Sequence, residues 1–245
     1  MRFVDSHLHL YDAEACNHVA LAAATHTLLV TCSEDRDTSS AALKEAEVYP
    51  GTVKAFVGVH PSRALGAESL SWLEHDLKRA SGIGEIGLDP KYSEKGEGSV
   101  QMETFVAQLE LAQEVRKPIQ VHSRDAEKEC LDALGGFTLG AVLMHWFQDE
   151  GFLQEVSERG YYVSYGPSLL YSKKLQRMAR RSSRDMVLTE TDSPVPFGPL
   201  GGVHGPSLVP SVVFKLAELW GEGFDDTRET LAGNAMRFLG LPEKG

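Results

Sequence analysis

Apolar residues follow two rhythms along this chain. Short runs rich in Val, Ile and Leu recur at Phe3–Leu10, Thr27–Cys32, Val53–His60, Ile83–Leu88, Ile119–His122, Ala141–His145, Tyr161–Tyr165 and Met186–Thr191. Runs this short and this uniformly apolar are expected of strands covered on both faces, as in a parallel sheet. Between them the apolar positions fall three and four apart, the helical period, as in "SSAALKEAEVY", "SLSWLEHDLKRA", "METFVAQLELAQEVR", "EGFLQEVSERG" and "KKLQRMARR". Asp125 stands where an N-cap would open "DAEKECLDAL", and Gly160 follows "FLQEVSER" as a helix stop would. Eight strand–helix alternations in 245 residues match the size of an α/β chain closed into one (β/α)8 barrel, a single domain over residues 1–245. An open doubly wound sheet is the competitor. A nucleotide-binding sheet of that kind would carry Gly-x-Gly-x-x-Gly after its first strand, whereas this first strand ends in histidines.

Composition narrows the function classes. A net charge of −11 leaves no global basic field for a sequence-reading DNA-binding module, although a nuclease can draw positive charge from bound divalent cations. The three cysteines, Cys16, Cys32 and Cys130, are dispersed and form no Cys-x-x-Cys, so neither a zinc ribbon nor a disulfide framework is indicated. Cys32, at the end of an apolar run, reads as a packing residue. With no leader-like start and no apolar run near the ~18 residues a membrane span requires, the chain reads as cytoplasmic and away from membranes. No obligate protein partner is inferred.

The polar residues that interrupt this pattern fall at the strand ends. The first run ends in His7-Leu8-His9, the third in His60, and the fourth carries Glu85 and stops at Asp89. The fifth ends in His122, the sixth in His145 and the eighth in Glu190 and Asp192. In a strand, residues i and i+2 share a face, so His7 and His9 would converge on one point. In a (β/α)8 barrel all C-terminal strand ends meet at one mouth, where the chemistry is built. Singly, a strand-end histidine such as His60 has an ordinary reading as a cap or a core hydrogen-bonder. Glu85, a carboxylate within an otherwise apolar inner strand, carries a large desolvation cost unless paired or metal-bound. As a set they read as a binuclear metal site. His7 and His9 with Asp192 would hold one divalent cation, His122 and His145 a second, and Glu85 would bridge the two. Zn²⁺ or Mn²⁺ suits this mixed ligation, and Mg²⁺ less obviously. Such a pair would supply a metal-activated hydroxide, with Asp192 as general base. His18, His26 and His75 lie outside the pattern and read as surface or packing residues; His204, in the long loop "SPVPFGPLGGVHGPSLVP", is placed to reach a substrate.

The segments "DSHLHL", "VGVHP", "GEIGLD", "PIQVHSRDA", "MHWF", "TETDSP" and "GNAMRFLG", in this order, resemble the TatD family of metal-dependent hydrolases, from residue 4 to about 240. The resemblance implies a (β/α)8 barrel of the amidohydrolase-like kind, a cytoplasmic location and divalent-metal-dependent deoxyribonuclease or phosphodiesterase activity. It implies the ligand set His7, His9, Glu85, His122, His145 and Asp192, with His60 and Arg124 facing the substrate phosphate. Two segments depart from the family's usual pattern. The loop after the eighth strand carries no Arg, Lys or Asn, and "HWFQDE" replaces a segment of small residues. Both fall where a phosphate chain would lie and leave the metal chemistry intact. A carboxylic ester, amide or lactone is the alternative substrate class. Related barrels of that kind often use a carbamylated lysine on strand four, where this chain has Glu85. A non-catalytic metal-stabilised scaffold would have no use for a free-edge Asp192.

Overall fold

Eight parallel strands follow one another around a barrel in chain order: β1 (Phe3–Leu8), β2 (Thr27–Cys32), β3 (Val53–Val57), β4 (Gly82–Gly87), β5 (Ile119–His122), β6 (Val142–Met144), β7 (Tyr162–Tyr165) and β8 (Val187–Thr189). The structure is a computed structural model and describes residues 3–11, 15–93, 98–196, 198–199 and 205–242. Among these, helices α1 (Ala15–Thr25), α2 (Arg36–Val48), α3 (Leu73–Leu77), α4 (Gly98–Val115), α5 (Glu127–Leu134), α6 (Leu153–Glu158), α7 (Lys173–Arg181) and α8 (Val209–Trp220) cross between or follow the strands, and α9 (Phe224–Phe238) ends the fold. The expected (β/α)8 architecture is the one observed.

Each strand from β1 to β7 pairs in parallel with the next. The seam between β8 and β1 is stitched in part by side chains. Ser6 Oγ donates to the Thr189 carbonyl at 2.8 Å, and Thr189 Oγ1 donates to the Val4 carbonyl at 2.6 Å. Asp5, fully buried, accepts from both the amide and the hydroxyl of Thr191. Beyond the strand ends, Asp192 N–H donates to the His7 carbonyl and His9 N–H to the Ser193 carbonyl. Burial raises the Asp5 carboxyl to about 7, against the pull of its Thr191 hydrogen bonds.

Several strands, β1, β3, β4, β6 and β8, are shorter at the mouth than their apolar runs. His9, His60, His145, Glu190 and Asp192 lie just past the last ladder residues. Here the backbone leaves the ladder to turn side chains inward. β1 shifts register between Asp5 and Leu8, β4 shifts between Ile83 and Ile86, and Asp192 adopts a left-handed φ of 52°. The expected N-cap at Asp125 is not formed. α5 starts after Ala126, while Asp125 has a φ of 56° and its carboxylate pairs with Lys91 Nζ at 3.1 Å. The nearby ammonium takes the carboxylate that would have capped the helix. Gly160, with φ 70°, does end α6 as expected.

The main apolar layer lies between strands and helices and includes Val57, Ile83, Leu109, Val121, Met144 and Leu216. A second cluster closes the end of the barrel away from the histidines. There Ala235 and Phe238 of α9 meet Val30, Phe56, Leu143 and Leu188, with the Phe238 ring stacked 5.8 Å from that of Phe56. Asn234 fastens the same helix by donating to the carbonyls of Arg184 and Val187 at the start of β8. Phe238→Ala should therefore open a cavity at the barrel's closed end and cost about 3–5 kcal/mol. A lowered urea midpoint with an unchanged slope checks this.

Candidate metal centre

The mouth is built by side chains from six strand ends, and its middle is Glu85. Its strand, "GIGEIG", is buried throughout, and the carboxylate reaches the barrel interior with 3% of the residue exposed. Gly87 is needed two residues on. It has a φ of 139°, and a Cβ there would lie 2.0 Å from the His122 carbonyl oxygen, so only glycine lets β4 and β5 approach closely enough to bring Glu85 and His122 together.

The two oxygens of Glu85 face different histidines. Oε2 lies 3.4 Å from His7 Nε2 and 3.5 Å from His9 Nε2, and the same two nitrogens lie 3.5 and 3.4 Å from Asp192 Oδ1. An ion with four N/O ligands at about 2.1 Å has ligand–ligand edges of about 3.4 Å. The four atoms thus stand at the spacing of neighbouring donors around one small cation. His7 Nε2, fully buried, has no hydrogen-bond partner among the described residues, as expected of a nitrogen whose partner is a cation. Glu85 Oε1 faces the other side, 2.6 Å from His122 Nδ1, 2.8 Å from His145 Nε2 and 3.7 Å from His60 Nε2. On this side the contacts to His122 and His145 are at hydrogen-bond distance, and His60, Glu85 and His122 form a further group of donors close enough together to hold a cation.

Orientation comes from the opposite nitrogens. His7 Nδ1 donates to Gln120 Oε1 at 2.6 Å, and Gln120 Nε2 in turn donates to the Ser6 carbonyl. His9 Nδ1 donates to the Cys32 carbonyl at 3.0 Å, His145 Nδ1 faces Glu190 Oε2 at 3.4 Å, and His122 Nε2 donates to Asp89 Oδ2 at 2.8 Å. With these bonds made, His7, His9 and His145 present Nε2 to the centre and His122 presents Nδ1. His60 differs. Its Nδ1 accepts from the Ser62 amide at 3.1 Å, so in the neutral ring the proton sits on Nε2. Burial pushes His60 down to about 4, against the pull of Glu85. It therefore points a neutral N–H donor at the centre, where the other rings turn a nitrogen that a cation would take once its proton is lost.

The carboxylates stay charged. Burial opposes ionisation of Glu85, but the imidazoles around it, His145 foremost, hold it well below the usual carboxylate range. Asp192 is held low by its close approach to His7 and His9 and by the charge of His145, again against burial. In this metal-free cluster Glu85 and Glu190 lift His145 to about 9 although burial and His7 work against it. Metal binding at the site must therefore displace protons.

Above the centre opens a cavity of about 660 Å³ whose rim carries Lys91, Arg124 and Lys174 together with Tyr11, Tyr92 and Trp146. Arg124 is exposed at this rim. Its Nη2 pairs with Asp89 Oδ2 at 2.7 Å and its guanidinium lies 5.1 Å over the Tyr92 ring. All of His7, His9, His60, Glu85, His122, His145 and Asp192 thus meet at one place, with Arg124 beside them. His204 and residues 197 and 200–203 of the long loop lie outside the described residues. Sequence reasoning left Asp89 and Glu190 without roles, although both stand at strand ends, and missed Gln120. An amide within "IQVH" carries no signal until the fold sets it behind His7. His26 and His75 are exposed, as expected, and half-buried His18 faces Ser193 Oγ at 3.3 Å.

A parallel barrel with such a histidine–carboxylate cluster at its C-terminal mouth defines a metal-dependent hydrolase. The chain belongs to the TatD family: the family model described as TatD related DNase matches residues 4–240. It is 30% identical over 252 residues to the metal-dependent hydrolase YabD of Bacillus subtilis, covering 96% of this chain and 98% of that one. It is 27% identical over 258 residues to the human deoxyribonuclease TATDN3, covering 96% and 94%. Among solved structures it resembles YjjV, a TatD homologue from Escherichia coli, with a TM-score of 0.90, 24% identity and coverage of 98% and 99%. No described helix is long and apolar enough to cross a membrane.

Gln120→Leu should leave His7 Nδ1 and the Ser6 carbonyl buried without partners. The expected cost is about 1–3 kcal/mol per group, read by denaturant unfolding of the metal-free protein.

Proposed function

We propose that this protein is a divalent-metal-dependent phosphodiesterase of the deoxyribonuclease kind. The observation that carries the reading is the division of Glu85, with one oxygen turned to His7 and His9 and the other to His122 and His145. In this reading His7, His9, Glu85 and Asp192 would hold one ion, and Glu85, His122 and His145 would hold a second. Bound divalent ions would lower the pKa of water and neutralise charge on a phosphoryl group. Asp192, at the open edge of the cluster, takes the proton of the attacking water as its oxygen bonds to phosphorus. The bond from phosphorus to the leaving oxygen breaks, and that oxygen gains a proton at the solvent-filled mouth. His60 offers its Nε2–H to a phosphoryl oxygen. Arg124 and Lys174 at the rim are placed to pair with a phosphate, beside the carboxylates Glu34, Asp125, Glu127 and Asp149 that line the same cavity.

The DNase-named relatives support a nucleic-acid substrate, and with it a phosphodiester over a carboxylic ester, amide or lactone. Purified protein with Mn²⁺ or Mg²⁺ should cleave single-stranded DNA or a chromogenic phosphodiester, and EDTA should abolish that turnover. Turnover of carboxylic esters or amides with none of phosphodiesters would sink the reading. Asp192→Asn should lower kcat by about 10²–10⁴-fold with the fold retained by circular dichroism. Arg124→Ala should act mainly on KM, raising it about tenfold, as measured by steady-state kinetics at fixed ionic strength.

A further inference from the structure

Beside the metal cluster, towards β7 and β8, lies a second cleft of about 300 Å³. Asp192 and Trp146 line both it and the larger mouth, so a molecule held at Asp192 can place one of its groups in the cleft. The volume is at the lower end for small-molecule pockets, enough for a single compact group. Its lining includes Trp146, Pro167, Tyr171, Val195 and Pro196 together with the polar Ser168, Glu190, Thr191 and Asp192.

Trp146 is held there by its own backbone. It follows His145 directly and adopts φ 40°, unusual for a bulky residue. Its amide donates to Ser164 Oγ at 3.1 Å and to Glu190 Oε1 at 3.0 Å. Glu190 is the same carboxylate that faces His145 Nδ1, so the position of the indole is tied to that of the cluster. The indole Nε1 is buried and has no hydrogen-bond partner among the described residues. A slot with aromatic and proline walls beside the general base suits a flat group.

The geometry points to a nucleobase subsite. Resting on the phosphodiesterase reading above, the cleft takes the base of the nucleotide whose phosphate lies at Asp192, with Trp146 as the specificity-determining residue and Tyr171 as the facing wall. Base–aromatic contact of this kind contributes about 1–3 kcal/mol per base, and bases present ring-nitrogen and carbonyl acceptors at their edges.

Binding without turnover tests this. Thymidine 5′-monophosphate and 2-deoxyribose 5-phosphate, which differ only by the base, are titrated calorimetrically into the metal-loaded protein. The wild type should bind the nucleotide about tenfold more tightly or better. Trp146→Ala should remove that preference and leave sugar-phosphate affinity unchanged. Trp146→Phe, which keeps an aromatic face and loses the N–H, should retain part of it and guards against a folding failure of the alanine variant. Tyr171→Ala, at a half-exposed position, should weaken it. Equal affinity of the wild type for the two ligands, binding of neither, or a preference that survives Trp146→Ala overturns the subsite. A base preference in binding with no phosphodiester turnover would instead leave the subsite standing and defeat the phosphodiesterase reading.

Discussion

Everything at the mouth depends on one buried charge. Glu85 sits inside a barrel with almost no solvent contact, where an uncompensated carboxylate would cost several kcal/mol. The protein holds it ionised by surrounding it with imidazoles on both sides, and that arrangement is also what a bridging ligand between two cations requires. The residues that make Glu85 tolerable are thus the residues that make it useful. In the metal-free chain the imidazoles meet the carboxylate's charge themselves; bound cations would take over that role and displace their protons.

The rest of the molecule serves to keep those groups in register. Gln120, Asp89, Glu190 and the Cys32 carbonyl each occupy the far nitrogen of one imidazole, which leaves the near nitrogen committed to the centre. His60 is held the other way round by the Ser62 amide, and that single reversal sets a neutral hydrogen-bond donor apart from the ring nitrogens that a cation would take. The seam between β8 and β1 matters for the same reason. Asp192 arrives from one end of the chain and His7 from the other, and the hydrogen bonds through Ser6, Thr189, Asp5 and Thr191 keep them within reach. At the opposite end Phe238 fills the barrel, so the cluster rests on a packed core.

Much of this was legible along the chain because buried parallel strands have a plain signature. β2 and β5 coincide with their apolar runs, and α7 with "KKLQRMARR". Other strands stop short of their runs because the mouth residues trade ladder bonds for inward-facing side chains. Asp125 reads as a cap locally and is drawn to Lys91, which lies thirty-four residues earlier in the chain. The metal-capable side chains were visible as polar interruptions in apolar runs. Gln120, the pairing of Asp89 with Arg124 and the place of Trp146 between two cavities were not, since each depends on a neighbour from another strand.

By itself, then, the sequence determined the alternation of strand and helix, the barrel that follows from eight such units, and the family of residues placed at its mouth. These are local properties: periodicity, and the cost of a charge in an apolar strand. The tertiary structure alone decided which oxygen of Glu85 meets which imidazole, which ring nitrogen each histidine turns inward, and that the indole of Trp146 divides the mouth. Those choices rest on distances of a few ångströms between residues up to 186 positions apart, and only closure of the barrel sets them.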